Sequence, residues 1–407
     1  MKTIWLINQY ASTPERGLAG RHYYFAHELA KKGYRVKVIA ASYSHIMREP
    51  KNLASDIEIE NRGTFDFVWV RVNEYASSNS KRRILNWFAF AYQLLKLPKH
   101  LNERPDVILY SSAPLVGYLA ALRLSKRLKA KIIFEVRDIW PLSVIQIGGY
   151  SPNHPFIRFL QWIEDKAYRT ADFVVSNLKN SHDHMASRGL KRNKFKWIAN
   201  GVSFDEVTQN IKLNNDAMAS LPKDKFVIGY AGAFGNANAL NYLLHSAKEL
   251  INETDIAFVL VGAGKEKDNL QNFVTENQLT NVHFIEPIPK VEIQSMLKTF
   301  DVCYIGLTKD PLFRFGVSPN KLFDYLYSAR PIIYAIDSGN YNPVKEVNAG
   351  IEVEPENAAN ITKAILELRS KSKNELNAIG MNGRKLVEEQ YSYKYLTSEL
   401  ESVINCE

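Results

Sequence analysis

Lys321 and Asp324 stand three residues apart in the run Phe315-Gly-Val-Ser-Pro-Asn-Lys-Leu-Phe-Asp324, where small residues lead into an apolar segment. Gly316 and Ser318 leave backbone amides uncrowded, and Pro319 suits the start of a helix, where its missing donor costs nothing. A helix start carries partial positive charge and free N–H groups, which suits a phosphate. Lys321 adds a full charge in the first turn, and Asp324 shares its helix face. A cation at a helix start with a carboxylate one turn later can hold a diphosphate and the neighbouring ribose. The plainer alternative is an amphipathic helix whose Lys and Asp face solvent.

Two further loops have phosphate-contacting composition. Ala231-Gly-Ala-Phe-Gly235-Asn236 and Val261-Gly-Ala-Gly264-Lys265, with Lys267 two residues on, each follow an apolar strand-like run. Glycine after a strand is common turn chemistry, so either loop alone says little. Three loops on one sheet edge say more. Gly17-Leu-Ala-Gly20 sits similarly between the first strand and the first helix, where Gly20 would let the backbone approach a ligand.

The elements that must carry these loops alternate. Strands are expected over 4–8, 35–41, 67–72, 107–110, 131–136, 173–176 and 196–199, with helices over 21–32, 84–100, 115–127 and 156–170 between them. Asn200-Gly201-Val202 is a turn signal, and a polar stretch runs to Lys225. The alternation then restarts, with strands over 226–231, 257–261, 282–285, 302–306 and 331–335, and helices over 240–251, 266–277, 291–300 and 320–328. Short apolar strands separated by helices indicate parallel sheets covered on both faces. The expected fold is α/β, two Rossmann-like parallel-sheet domains facing across a cleft, which fits 407 residues better than one core. The divisions expected are 1–200, 201–381, and a helical 382–407 packing back on the first domain.

Composition narrows the class. Residues 1–200 hold 32 Lys+Arg against 16 Asp+Glu, a net +16, whereas residues 201–407 hold 20 against 27, a net −7. The basic half is thus expected to meet an anionic partner, whether nucleic acid, lipid or a phosphorylated substrate. No apolar run is long enough to cross a bilayer, and the first ten residues read as a strand rather than a leader. The two cysteines, Cys303 and Cys406, are isolated, so neither a disulfide framework nor a metal site is expected and a cytoplasmic setting fits. Histidines 22, 27, 45, 182 and 184 lack ligand spacing and read as ordinary surface or core residues.

Lys81-Arg82-Arg83-Ile-Leu-Asn-Trp87-Phe88 begins a cationic, then aromatic and apolar helix. An interfacial helix on anionic headgroups and a buried crossover helix both suit it. The basic half favours the membrane reading.

Over nearly its whole length the chain resembles the retaining glycosyltransferases of family 4, which have the two-domain GT-B fold. The likeness rests on the Gly17–Gly20 loop, Asn200-Gly201-Val202, Gly262-Ala-Gly264 with Lys267, His283-Phe-Ile-Glu-Pro and Lys321-Leu-Phe-Asp324-Tyr. It implies a nucleotide-sugar donor held by the C-terminal domain and an acceptor held by the N-terminal one. Lys321 is then implied for the diphosphate, Asp324 for ribose hydroxyls and the backbone around Ile288 for the base. Gly20, Gly235, Asn236, Gly264, Lys267, Gly316, Ser318 and Asn320 complete the donor set. Glu135-Val-Arg-Asp-Ile-Trp-Pro141 is similar to bacterial members that add amino sugars to O-antigen or capsule units. The reading is a UDP-dependent transferase of an N-acetylated hexose onto a lipid-diphosphate-linked or saccharide acceptor at the inner membrane face, with no metal, cofactor or nucleic acid.

Three departures matter. The family's first acidic residue, eight positions before Asp324, is Gly316 here. Asn236 and Asn238 stand where many members have Arg and Lys. The family's histidine after the mid-domain strand corresponds to Arg137, with Asp138 next. Asp138 is expected to position the acceptor or take its proton, or else to cap a helix or pair with Arg137. Arg137 is expected to meet acceptor phosphate or a structural carboxylate. A UDP-sugar 2-epimerase of the same fold is the alternative enzyme, disfavoured by the acid-poor 315–318 loop. A polyanion-binding protein has the basic half in its favour but lacks an interleaved aromatic and basic motif.

Overall fold

The computed structural model describes residues 1–17, 19–75, 80–209 and 211–406; Leu18 of the Gly17–Gly20 loop lies outside the described residues, as does Glu407. Contacts divide the chain into two compact units, one of Met1–Ala199 with Tyr393–Glu407 and one of Asn200–Ser392.

The first unit holds an eight-stranded sheet. Its strands are β1 (Thr3–Ile7), β2 (Arg35–Ala41), β3 (Ile57–Asn61), β4 (Asp66–Val70), β5 (Val107–Ser111), β6 (Lys131–Val136), β7 (Phe173–Ser176) and β8 (Phe195–Trp197). Their order is β3-β4-β2-β1-β5-β6-β7-β8. All neighbours pair parallel except β3 with β4. β3 is absent from the expected strands because its Ile-Glu-Ile-Glu alternation half-buries it at an edge, whereas the predicted strands are continuous apolar runs. Strand order reverses between β1 and β5, so loops after those strands open the crevice where such sheets bind ligands. The helices Arg21–Lys31 and Tyr393–Asn405 pack together, with Tyr24 stacked on Tyr393 at 4.6 Å and Lys32 bonded to Glu401 at 2.5 Å.

The second unit holds β9 (Phe226–Ala231), β10 (Ile256–Val261), β11 (Val282–Ile285), β12 (Val302–Gly306), β13 (Ile332–Ala335) and β14 (Gly350–Glu352), ordered β11-β10-β9-β12-β13-β14 and parallel throughout. Here the order reverses between β9 and β12. The expectation that 382 onward packs on the first domain needs correcting for 382–392. Asn382 donates to the Asn348 carbonyl at 3.2 Å, the Arg384 guanidinium lies over Tyr327, and Tyr391 packs on Phe323. These contacts keep the helix Lys373–Gln390 in the second unit, and only the following helix joins the first.

Candidate active site

The three glycine loops of the second unit gather at the carboxyl ends of β10, β9 and β12. Two are zipped together: Phe234 donates its amide to the Ala263 carbonyl at 2.8 Å, and Glu266 donates to the Phe234 carbonyl at 3.0 Å. A Cβ at Gly264 would lie 2.2 Å from the Phe234 carbonyl oxygen, so only glycine permits this approach. The third loop turns at Gly316, whose φ of 92° favours glycine, and enters the helix Asn320–Tyr327. Ser318 fixes that loop, accepting from the Asn200 amide at 2.9 Å, while the Asn200 side chain donates to the Ser318 carbonyl at 2.7 Å.

Lys321 stands where these loops meet, at the reversal between β9 and β12. Its ammonium donates to the Tyr230 hydroxyl at 2.7 Å and to Asn238 Oδ1, and it lies 4.6 Å from the Tyr230 ring centre. No carboxylate among the described residues pairs with it. Desolvation of this partly buried ammonium lowers its pKa to about 7. Neutral oxygens thus surround a cation at a helix start, an arrangement short of one negative charge.

The other predicted donor residues have protein partners. Lys267 is bonded to the exposed Glu286, at the neighbouring end of β11. Asp324 is buried and accepts from Lys290, while Gln294 donates to its backbone carbonyl at 3.1 Å. Lys290 was not anticipated; it follows the half-buried Ile288 and ties that loop to the helix. Gly235 precedes a short 3-10 turn, Asn236–Asn238, in which Asn236 is exposed. Asn320, also exposed, opens the helix at its first position.

In the first unit, sequence expectation named Arg137 and Asp138 and overlooked the carboxylate two residues earlier. Glu135 is fully buried on β6, with its Oε1 3.1 Å from Arg21 Nε and its Oε2 2.6 Å from His22 Nε2. Asn8 Nδ2 lies 3.0 Å from His22 Nδ1, so the ring fits a neutral tautomer with its proton on Nε2, shared with Glu135. Burial pushes the His22 pKa down, in keeping with a neutral ring. Burial alone would raise the Glu135 pKa, but His22, first by its electrostatic pull and also by its hydrogen bond, together with the charges of Arg21 and Arg137, holds it well below the ordinary carboxylate range. His22 is therefore part of a built cluster rather than an ordinary residue. Gly20, without a capping side chain, precedes the helix that carries Arg21 and His22.

Asp138 is exposed just beyond β6. Trp140 Nε1 donates to its Oδ2 at 3.0 Å, and the Ser143 hydroxyl donates to Oδ1. Both carboxylate oxygens therefore brace the turn before the short helix Leu142–Gln146 through side-chain donors, and the helix itself has no side-chain cap, so Asp138 is a turn brace rather than the expected cap. Arg137 is half-buried with its amide 3.4 Å from Ser112 Oγ.

The description Glycosyltransferase Family 4 matches residues 17–206, and Glycosyl transferases group 1 matches residues 225–371. The chain belongs to the family 4 glycosyltransferases. Among curated relatives of this transferase, the probable glycosyltransferase WbjE of Pseudomonas aeruginosa is 22% identical over 80% of the chain and 81% of that protein. The capsular polysaccharide biosynthesis glycosyltransferase CapM of Staphylococcus aureus is 22% identical over 82% and 85%. The fold matches the sucrose-phosphate synthase of Thermosynechococcus elongatus with a TM-score of 0.75 at 15% identity, covering 99% and 98% of the chains. It also matches Anabaena Alr3699/HepE in complex with UDP-glucose, TM-score 0.67 at 13% identity, covering 99% of both. The GT-B architecture of two parallel-sheet α/β domains follows. The transferase also corrects part of the predicted lipid-facing set. Trp87 is buried and donates to the Tyr10 hydroxyl at 3.0 Å, and Arg83 is half-buried against Tyr10 and Trp87. Helical periodicity turns both inward, leaving Lys81, Arg82 and Phe88 exposed.

Proposed function

We propose that this glycosyltransferase moves an N-acetylated hexose, with retention of anomeric configuration, from a UDP-linked donor to a lipid-diphosphate-linked acceptor. The setting is O-antigen or capsule assembly at the inner face of the cell membrane. One observation carries the donor half of this reading: Lys321 is a partly desolvated cation at a helix start whose partners among the described residues are neutral. A leaving diphosphate develops negative charge as the anomeric C–O bond breaks, and a fixed ammonium with helix-start amides stabilises that charge more in the transition state than in the bound donor. On this reading Lys321 takes the place of a metal ion. Asp324 and the loop through Ile288 would meet the ribose and base, with Lys290 yielding the Asp324 carboxylate when donor binds. The UDP-glucose complex of a neighbour of the same fold supports the nucleotide class, and the name of the Staphylococcus aureus relative supports the pathway.

A thermal-shift panel of nucleotide sugars tests the reading. UDP-linked N-acetylhexosamines are expected to raise the melting temperature most, with GDP- and CMP-linked sugars inert. Stabilisation by a non-uridine nucleotide alone would overturn the donor assignment.

A further inference from the structure

The helices Lys81–Leu94, Val116–Leu128 and Pro155–Thr170 pack in one layer of the first unit. Between them they carry nine Lys or Arg and two acidic residues. Of those two, Glu164 is buried and hydrogen-bonded to Tyr168, and Asp165 is bonded to Arg188. Lys81, Arg82, Arg123, Lys126, Arg127 and Arg158 are exposed. The outward face of this layer is therefore cationic.

The same layer exposes large apolar side chains in a pattern, not at random. Leu85, Phe88 and Tyr92 follow helical spacing on one side and are 65%, 43% and 63% exposed. Phe88 stacks on Phe159 with ring centres 6.4 Å apart, and Phe159 stacks on Trp162 at 6.1 Å. Trp162 is 48% exposed, and the Lys166 ammonium lies 5.2 Å from its ring centre. Soluble surfaces seldom gather rings into a continuous ladder, and such patches mark contact surfaces. Aromatic rings bordered by Lys and Arg match the headgroup zone of an anionic bilayer, where rings enter the acyl boundary and cations meet phosphates. A second copy of the chain would bring two cationic faces together, which charge disfavours.

We infer that this transferase docks on anionic membrane through the ladder Leu85–Phe88–Tyr92 and Phe159–Trp162, with Lys81, Arg82 and Lys166 at its rim. The inference extends the proposed function by naming the lipid-contacting face, and it stands on residues remote in sequence from the donor loops. No helix among the described residues is long and apolar enough to cross a membrane, so contact through this face would be peripheral.

Sedimentation of the full chain with vesicles of phosphatidylethanolamine and phosphatidylglycerol, against phosphatidylcholine alone, tests it. Wild type is expected to sediment with the anionic vesicles only, and less so in high salt. Phe88→Ser with Trp162→Ser should weaken partitioning about tenfold, since two ring contacts are lost. Lys81→Glu with Arg82→Glu, at exposed sites that the fold does not need, should weaken it at least as much. UDP-induced thermal shift, measured on each variant, reports the fold and the donor site separately. Undiminished sedimentation of both folded variants would overturn the inference, as would wild type that ignores anionic vesicles. So would a wild-type dimer that Phe88→Ser with Trp162→Ser converts to monomer. Vesicle binding without any nucleotide response would instead sink the donor reading and leave this face standing.

Discussion

A buried carboxylate on a strand of the first unit and a partly buried ammonium at a helix start of the second are treated oppositely. Glu135 is met by Arg21 at 3.1 Å and by His22 at 2.6 Å, with Arg137 nearby, so its charge is compensated within the protein. Among the described residues, Lys321 is met by a phenol, an amide oxygen and a ring face and by no carboxylate. A charge that supports a fold is answered by its surroundings; a charge kept for a ligand is left short. By that criterion Glu135 serves architecture in the first unit, and Lys321 of the second is a cation held in readiness.

Breaking the compensated cluster should have the largest effect. Glu135→Gln leaves Arg21 and Arg137 without their carboxylate and should cost about 3–5 kcal/mol of stability, read by urea unfolding. The pH sign follows from the depressed folded pKa of Glu135. Its contribution is complete above the ordinary glutamate value of about 4.3 and is lost as pH falls through the lower folded value. Acid unfolding of wild type should therefore be steeper than that of Glu135→Gln below about pH 4. A variant as stable as wild type would erase the contrast between the two sites.

Lys321 should answer the other way. Lys321→Met removes a desolvated cation that has no counter-ion, so stability should hold or rise, while UDP affinity falls by about 1–3 kcal/mol in calorimetry. Destabilisation with unchanged UDP affinity would make Lys321 a structural residue like Glu135.

The pKa of about 7 sharpens the same contrast with pH. Between about 7 and the ordinary lysine value of about 10.4, the unfolded chain binds the proton more tightly, so this residue's contribution to stability rises with pH. UDP binding needs the ammonium and should weaken over the same range, up to about tenfold per pH unit, with proton uptake on binding. Lys321→Met should flatten that profile. An equal slope in wild type and variant would assign the titration elsewhere.

How much of this was legible follows from how local each signal is. The strands β2, β6, β7, β9, β11 and β12 lie where apolar-rich runs bounded by turn signals place them. Lys321 and its loop were legible because glycine, proline and lysine act within ten residues. The Glu135 cluster was not, since Arg21 and His22 lie more than a hundred residues away and meet it only once β1, β5 and β6 are side by side. A lone carboxylate inside Lys-Ile-Ile-Phe-Glu-Val was the available signal, because such a charge needs a partner. Trp87 was misplaced because the aromatic run 87–92 is dense enough to serve either side of a helix. Lys290 carried no local signal, as its partner Asp324 comes from a different element.

Asp138 offers the smallest effect and tests where the comparison stops. Its two oxygens accept from Trp140 and Ser143, so in the free protein the carboxylate is committed to a turn, yet the residue is exposed. Asn keeps one acceptor oxygen and presents an amide where the second stood, losing one of the two bonds. Asp138→Asn should therefore cost about 1 kcal/mol of stability, with turnover kept within a few-fold. Paired melting and transferase assays separate the roles, because a turn anchor moves the first and a proton acceptor moves the second. A collapse of turnover with an unchanged melting temperature would move Asp138 from the self-satisfied group, with Glu135, to the group held for substrate, with Lys321. The first unit would then contribute to the chemistry directly, through a carboxylate that sheds its turn partners when acceptor binds.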